Sequence, residues 1–173
     1  MKEKIYFLLP YFFQNILITL FNILAYRKRY GGKYNHYLSV FKKNRTLTRE
    51  ELNEVQKKRY SNFIKYSVNK SIYYKDLLSN VREYDNILNI KNVPIISKEA
   101  LRANSKSIYT ILPKTGILSK TGGTTGKSLE VLFTNDNMQE RFAMLDDFRS
   151  RFGYKLGKKT AWFSGKSLLN KKD

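Results

Sequence analysis

Residues 116–134 read Gly116-Ile117-Leu118-Ser119-Lys120-Thr121-Gly122-Gly123-Thr124-Thr125-Gly126-Lys127-Ser128-Leu129-Glu130-Val131-Leu132-Phe133-Thr134. The first four residues read as a short strand that enters a Gly- and Thr-rich loop. From Leu129 the chain alternates, with Leu129, Val131 and Phe133 on one face and Glu130, Leu132 and Thr134 on the other, which is the period of a second strand. A helix follows, opened by Thr134, Asn135 or Asp136, and its apolar face is expected at Met138, Phe142, Leu145, Phe148 and Phe152 with Gly153 as C-cap. Lys159 to Ser164, containing Ala161-Trp162-Phe163, reads as a further strand. Strand, loop, strand, helix and strand in that order indicate the start of an α/β sheet, left incomplete within this chain.

The loop is the motif that carries chemistry. Gly122, Gly123 and Gly126 let the backbone approach a ligand closely, Thr121, Thr124 and Thr125 offer hydroxyl donors, and Lys120 and Lys127 add positive charge. These are the parts of a polyphosphate cradle. A Walker A loop, GxxxxGK followed by Ser or Thr, would need glycine where Thr121 stands, and it would open a helix rather than run into an alternating strand. A Gly-Thr loop that simply closes a hairpin is the alternative structural reading.

Upstream, roughly the first hundred residues read as mainly helical, so the chain divides into a helical region over 1–110 and, over 111–173, the beginning of an α/β region that carries the loop. Ile5 to Tyr26 is the most apolar stretch. Pro10 favours a helix that begins there. Tyr11, Asn15, Thr19, Asn22 and Tyr26 fall on one narrow face, while Phe12, Phe13, Ile16, Leu17, Leu20, Phe21, Ile23 and Leu24 fill the opposite side. Such a helix can pack on a core, lie in a membrane interface or, less readily given its interrupting polar residues, span a bilayer. Gly31-Gly32 is expected to end it and to open a polar, Tyr-rich connection to Thr48. Thr48 and Glu51 have capping-box spacing ahead of a helix of four to five turns bearing Leu52, Val55, Tyr60, Phe63 and Ile64. A shorter helix is expected over Ile72 to Leu78, an extended segment at Val93-Pro94-Ile95-Ile96, and a Ser97-capped helix containing Leu101 and Arg102.

Composition narrows the chemistry. Of 173 residues, 42% are hydrophobic and 27% charged, as in globular proteins. Cysteine is absent, which excludes disulfides, Cys-based zinc sites and a thiol nucleophile, and the single histidine, His36, supports neither a multi-His metal site nor a Ser/His/Asp triad. The net charge is +19, and Glu3 is the only acid among the first 48 residues. Biased composition with a solvated basic surface accounts for that charge, and so does a role facing phosphate or an anionic membrane. Nucleic-acid binding is disfavoured, because the 13 Tyr and 11 Phe sit mostly at core-like helical spacings rather than on a stacking platform.

The loop Thr121-Gly122-Gly123-Thr124-Thr125-Gly126-Lys127, set between two strands, resembles the phosphate loop of adenylate-forming enzymes. With it, the whole chain resembles the phenylacetate–CoA ligase family, especially its capsular polysaccharide biosynthesis (CapK-type) branch. The other residues that carry the resemblance are Arg29-Tyr30-Gly31-Gly32, Tyr73-Tyr74, Val93-Pro94-Ile95-Ile96-Ser97-Lys98-Glu99 with Leu101-Arg102, and the run from Glu140-Arg141 through Gly153 to Trp162-Phe163-Ser164-Gly165-Lys166. The resemblance implies an ATP- and Mg2+-dependent ligase that joins a carboxylate to AMP and passes the acyl group to a thiol such as coenzyme A. It implies that Thr121 to Lys127 bind the nucleotide. Ser128 stands where the family usually has proline, and Gly122 where many members have serine. The family's aromatic-Gly-x-Thr-Glu element, its ribose-binding Asp and its lid lysine have no counterpart in this chain, so neither a catalytic residue nor a magnesium ligand is assigned here. The expectation is therefore an N-terminal portion of such an enzyme, inactive as given, cytoplasmic and peripheral at the inner membrane face. The competing expectation is a small basic protein that binds a membrane surface or nucleic acid without catalysis.

Overall fold

A computed structural model describes residues 9–121 and 128–160. Helix α1 runs over Tyr11–Tyr30, starting behind Pro10, whose carbonyl accepts from the Phe13 and Gln14 amides. It stops at Gly31, where an added Cβ would lie 2.5 Å from the Arg27 carbonyl oxygen, and Gly32 then turns the chain at φ +50°. The segment expected as a polar connection is instead a second helix, α2, over Tyr34–Asn44. Tyr34, Tyr37 and Phe41 stand at i, i+3 and i+7 on it, and counting tyrosine as polar hid that spacing.

Helix α3 covers Arg49–Lys70, longer than the four to five turns expected, and begins in the capping box read from the sequence. The Glu51 amide donates to Thr48 Oγ1 at 3.2 Å while Glu51 Oε2 accepts from the Thr48 amide at 2.8 Å. Ser71 then does two jobs. Its hydroxyl caps the short helix α4 (Ile72–Leu77) by accepting from the Tyr74 amide, and it donates to the Ser107 carbonyl at 2.9 Å. A 3-10 turn at Ile87–Asn92, the Ser97-capped helix α5 (Lys98–Ala103), helix α6 (Ser105–Ile108) and a 3-10 turn at Pro113–Thr115 lead to the sheet. Strands β1 (Ile117–Lys120) and β2 (Glu130–Phe133) pair antiparallel with Ile117 opposite Phe133 and Lys120 opposite Glu130. Helix α7 follows over Asn135–Ser150, opened by Thr134, which exchanges hydrogen bonds with Asn137 in a second capping box.

The described residues are thus mostly helical, with one two-stranded antiparallel sheet, an arrangement compatible with an incomplete α/β fold. The strand expected over 159–164 lies from residue 161 onward outside the described residues. Two expectations about α7 are corrected. It ends at Ser150, and Gly153 stands beyond the cap at φ +80°, where the Tyr154 amide turns back to the Arg149 carbonyl. Its buried face is not the aromatic stripe: Gln139, Ala143, Asp146 and Asp147 are buried, whereas Phe148 and Phe152 are exposed. A face of two carboxylates and an amide can be buried only if other segments bring matched partners, and α2, the residues that flank it and the end of α1 bring them.

Candidate functional site

The loop singled out in the sequence springs from the ends of β1 and β2, and its neck is closed twice. The Thr121 amide donates to the Leu129 carbonyl at 2.9 Å, and the Leu129 amide donates to Thr121 Oγ1 at 2.9 Å. Just below, Lys120 Nζ pairs with Glu130 Oε1 at 2.9 Å across the ladder. The hydrogen bond to Glu130 raises the pKa of this exposed lysine, so it holds its proton firmly. Thr121 is therefore placed at the base of the loop with its hydroxyl oxygen accepting from the backbone. Gly122, Gly123, Thr124, Thr125, Gly126 and Lys127 lie outside the described residues.

A cavity of about 320 Å3 lies against β2, lined on the strand side by Leu129, Val131 and Leu132 and on the helical side by residues that include Phe63, Tyr66 and Tyr74. Burial raises the Tyr74 pKa, as expected for a phenol set among apolar groups. The Ser67 hydroxyl on the same wall is spent on the Phe63 carbonyl at 2.9 Å. An apolar chamber thus runs beside the strand that carries the loop.

What holds the hairpin in place is a set of residues that sequence reasoning did not single out. Tyr34 Oη donates to Asp146 Oδ2 at 2.9 Å, and burial followed by that hydrogen bond pushes the phenol's pKa well above its ordinary value. Tyr37 Oη donates to Asp136 Oδ2 at 3.0 Å, and burial first, then this bond, raises its pKa to about 12. The Arg45 guanidinium grips both carboxylate oxygens of Asp147 and reaches its carbonyl and the Ser150 hydroxyl. Gln139 accepts from the Lys33 amide at 2.9 Å and donates to the Lys28 carbonyl at 3.2 Å, stitching the α1–α2 corner to α7. These contacts fix α7, and α7 follows β2 with Thr134 alone between them. The signal for them is the pair Asp146-Asp147 set between Leu145 and Phe148 on the expected apolar face, and their partners Tyr34 and Arg45 lie about a hundred residues earlier.

Among the described residues, no group of three or more His, Cys, Asp or Glu side chains is placed to hold a metal ion. Asp146 and Asp147 are occupied by Tyr34, Arg45 and, at 3.8 and 3.5 Å, by Arg149 and Arg151. His36 is exposed beside the Tyr37 ring.

No family model matches the chain, and no solved structure matches it. The chain is 29% identical over 173 residues to Protein CapK from Staphylococcus aureus, a match that covers 98% of this chain and 37% of that protein. The chain therefore spans little more than a third of the length of this curated relative, to which it is similar from end to end.

Proposed function

We propose that the chain is the phosphate-loop-bearing part of an ATP-dependent adenylate-forming ligase of the phenylacetate–CoA ligase kind, serving capsular polysaccharide biosynthesis. The observation that carries the reading is the setting of the Gly-Thr loop at the tip of an antiparallel hairpin with a closed neck, rather than at the start of a helix. The similarity to Protein CapK supports the capsule assignment. Bound ATP supplies the phosphoanhydride that activates a carboxylate, and a thiol such as coenzyme A takes the acyl group. The chain's own part is to hold the phosphates. The Thr121 hydroxyl donates from the neck, Thr124, Thr125 and the amides of Gly122, Gly123 and Gly126 complete the cradle, and Lys127 offsets negative charge. The residues that hold magnesium belong to the rest of the enzyme.

The test uses the nine glycines of the chain. In a 15N-glycine-labelled sample, tripolyphosphate and ATP at millimolar concentration should shift the amides of Gly122, Gly123 and Gly126, with Gly153 and Gly157 unmoved. Lys127→Ala and Thr124→Val should each weaken the response by roughly 5- to 160-fold, the equivalent of about 1–3 kcal/mol for a lost hydrogen bond to a charged group. Loop amides that ignore both ligands would leave the motif as a hairpin turn.

A further inference from the structure

Among the described residues, helix α1 touches the rest of the molecule only near its C-terminal end, where Tyr30 meets the Tyr34 and Phe142 rings, Arg29 lies over Phe142 and Gln139 bonds the Lys28 carbonyl. Along the preceding turns Phe12, Leu20, Phe21 and Leu24 are 69, 54, 69 and 59% exposed. The sequence therefore spends its most apolar stretch on a helix that no described element covers. No described helix is long and apolar enough to cross a membrane.

Four features of α1 suit a lipid surface. The helix carries no acidic residue, and it ends in Arg27, Lys28 and Arg29, so a cationic cluster borders the apolar arc. Tyr11 and Tyr26 stand near its two ends, where an aromatic ring with a hydroxyl fits the boundary between headgroup and acyl chain. The Thr19 hydroxyl donates to the Asn15 carbonyl at 2.8 Å, which lowers the cost of bringing that polar strip near hydrocarbon. The charge also opposes one mode of self-association: a parallel pair of these faces would bring two cationic ends directly together, whereas an antiparallel pair keeps them about 30 Å apart.

We infer that α1 is an interfacial anchor that lies in the plane of an anionic bilayer, its Phe12-to-Leu24 arc among the upper acyl chains and Arg27 and Lys28 at the phosphate level. The inference stands apart from the phosphate-loop reading, since no residue of the hairpin takes part in it.

Because the chain has no cysteine, Leu17→Cys gives a unique site for an NBD label, and Lys58→Cys on exposed α3 gives the control. The probes are vesicles of phosphatidylcholine alone and of phosphatidylcholine with one quarter phosphatidylglycerol. The label at 17 should shift to the blue and the chain should sediment with the anionic vesicles, while the label at 58 stays unchanged. Arg27→Gln with Lys28→Gln should weaken the partition about 30-fold, at about 1 kcal/mol for each cation near the surface. Phe21→Asp, at an exposed position, should abolish it with the helical circular dichroism retained. Three results would each overturn the inference. One is equal binding to neutral and anionic vesicles. Another is an unshifted label on a folded chain. The third is a blue shift without lipid that grows with protein concentration, which would assign the face to a second copy.

Discussion

Replacing Arg45 with methionine should be the most damaging conservative-sized change in the molecule away from its loop. Asp147 is 5% exposed, and Arg45 meets both its carboxylate oxygens, with Nε at 3.1 Å from Oδ2. Methionine fills much of the space of the arginine stem but strands the buried charge. Breaking a buried pair by removing one partner costs about 3–5 kcal/mol. Two features bring the figure down here: the Arg45 side chain is 30% exposed, and Arg151 remains at 3.5 Å from Asp147 Oδ2. We therefore expect a loss of about 2–3 kcal/mol. In urea unfolding followed by far-UV circular dichroism, with a slope of about 2 kcal/mol per molar, the midpoint should fall by roughly 1–1.5 M. The double variant Arg45→Met/Asp147→Leu removes the stranded charge and should return to within about 1 kcal/mol of the parent. A single variant that moves the midpoint by less than about 0.3 M, or a double variant no better than the sum of its parts, would refute the account of a buried charge held by Arg45.

Gly32→Ala should destabilise by about 2 kcal/mol, because φ is +50° there and the added Cβ would sit 2.7 Å from Gln139 Oε1; introducing it into a Gln139→Ala background should cost visibly less in the same urea assay. Raising the pH should loosen the α2–α7 contact. The Tyr37 phenol is raised to about 12 from 10, so its stabilisation is full below pH 10 and disappears as pH climbs toward 12; ultraviolet titration at the phenolate band should show late-ionising tyrosines, and Tyr37→Phe should remove part of the alkaline loss. The 173-residue chain should release no pyrophosphate from ATP with a panel of aryl and short-chain acids, since adenylation needs a magnesium-handling carboxylate and a positioned lysine acting together with the loop; turnover above background would locate those groups within this chain.

Local signals in the sequence were read well where a single segment satisfies itself. The Thr48–Glu51 box, the Ser97 cap and the two strands around the loop each depend on residues within a few positions, and each stands where its spacing places it. The errors arise where satisfaction comes from far away. Helix α2 looked like a connection because its face is built from tyrosines, whose rings pack while their hydroxyls reach Asp146 and Asp136. The face of α7 reads as aromatic because Asp146 and Asp147 look solvent-bound in isolation, and their burial becomes tolerable through Tyr34 and Arg45 from far away together with Arg149 and Arg151 nearby. Of the candidate site, the strand context was legible, because the Gly-Thr run interrupts two segments of alternating or apolar character; the two bonds that close the neck between Thr121 and Leu129 were not, since they depend on the strand register. The cavity beside β2 was not legible, since its walls come from α3, α4 and the 108–111 segment.

The latch between Tyr34 and Asp146 also sets a timetable for synthesis. The two residues are 112 positions apart, and a ribosome adding about 5–20 residues per second needs roughly 6–22 s to produce the second after the first. During that interval Tyr34 lacks its Asp146 partner, and the exposed phenylalanines of α1 are covered by no described element. Exposed apolar surface and unpaired polar groups make a partly made chain in that condition prone to misassembly until the latch closes. Slowing translation between codons 45 and 135 should therefore change where newly made chains end up before it changes how stable the finished ones are.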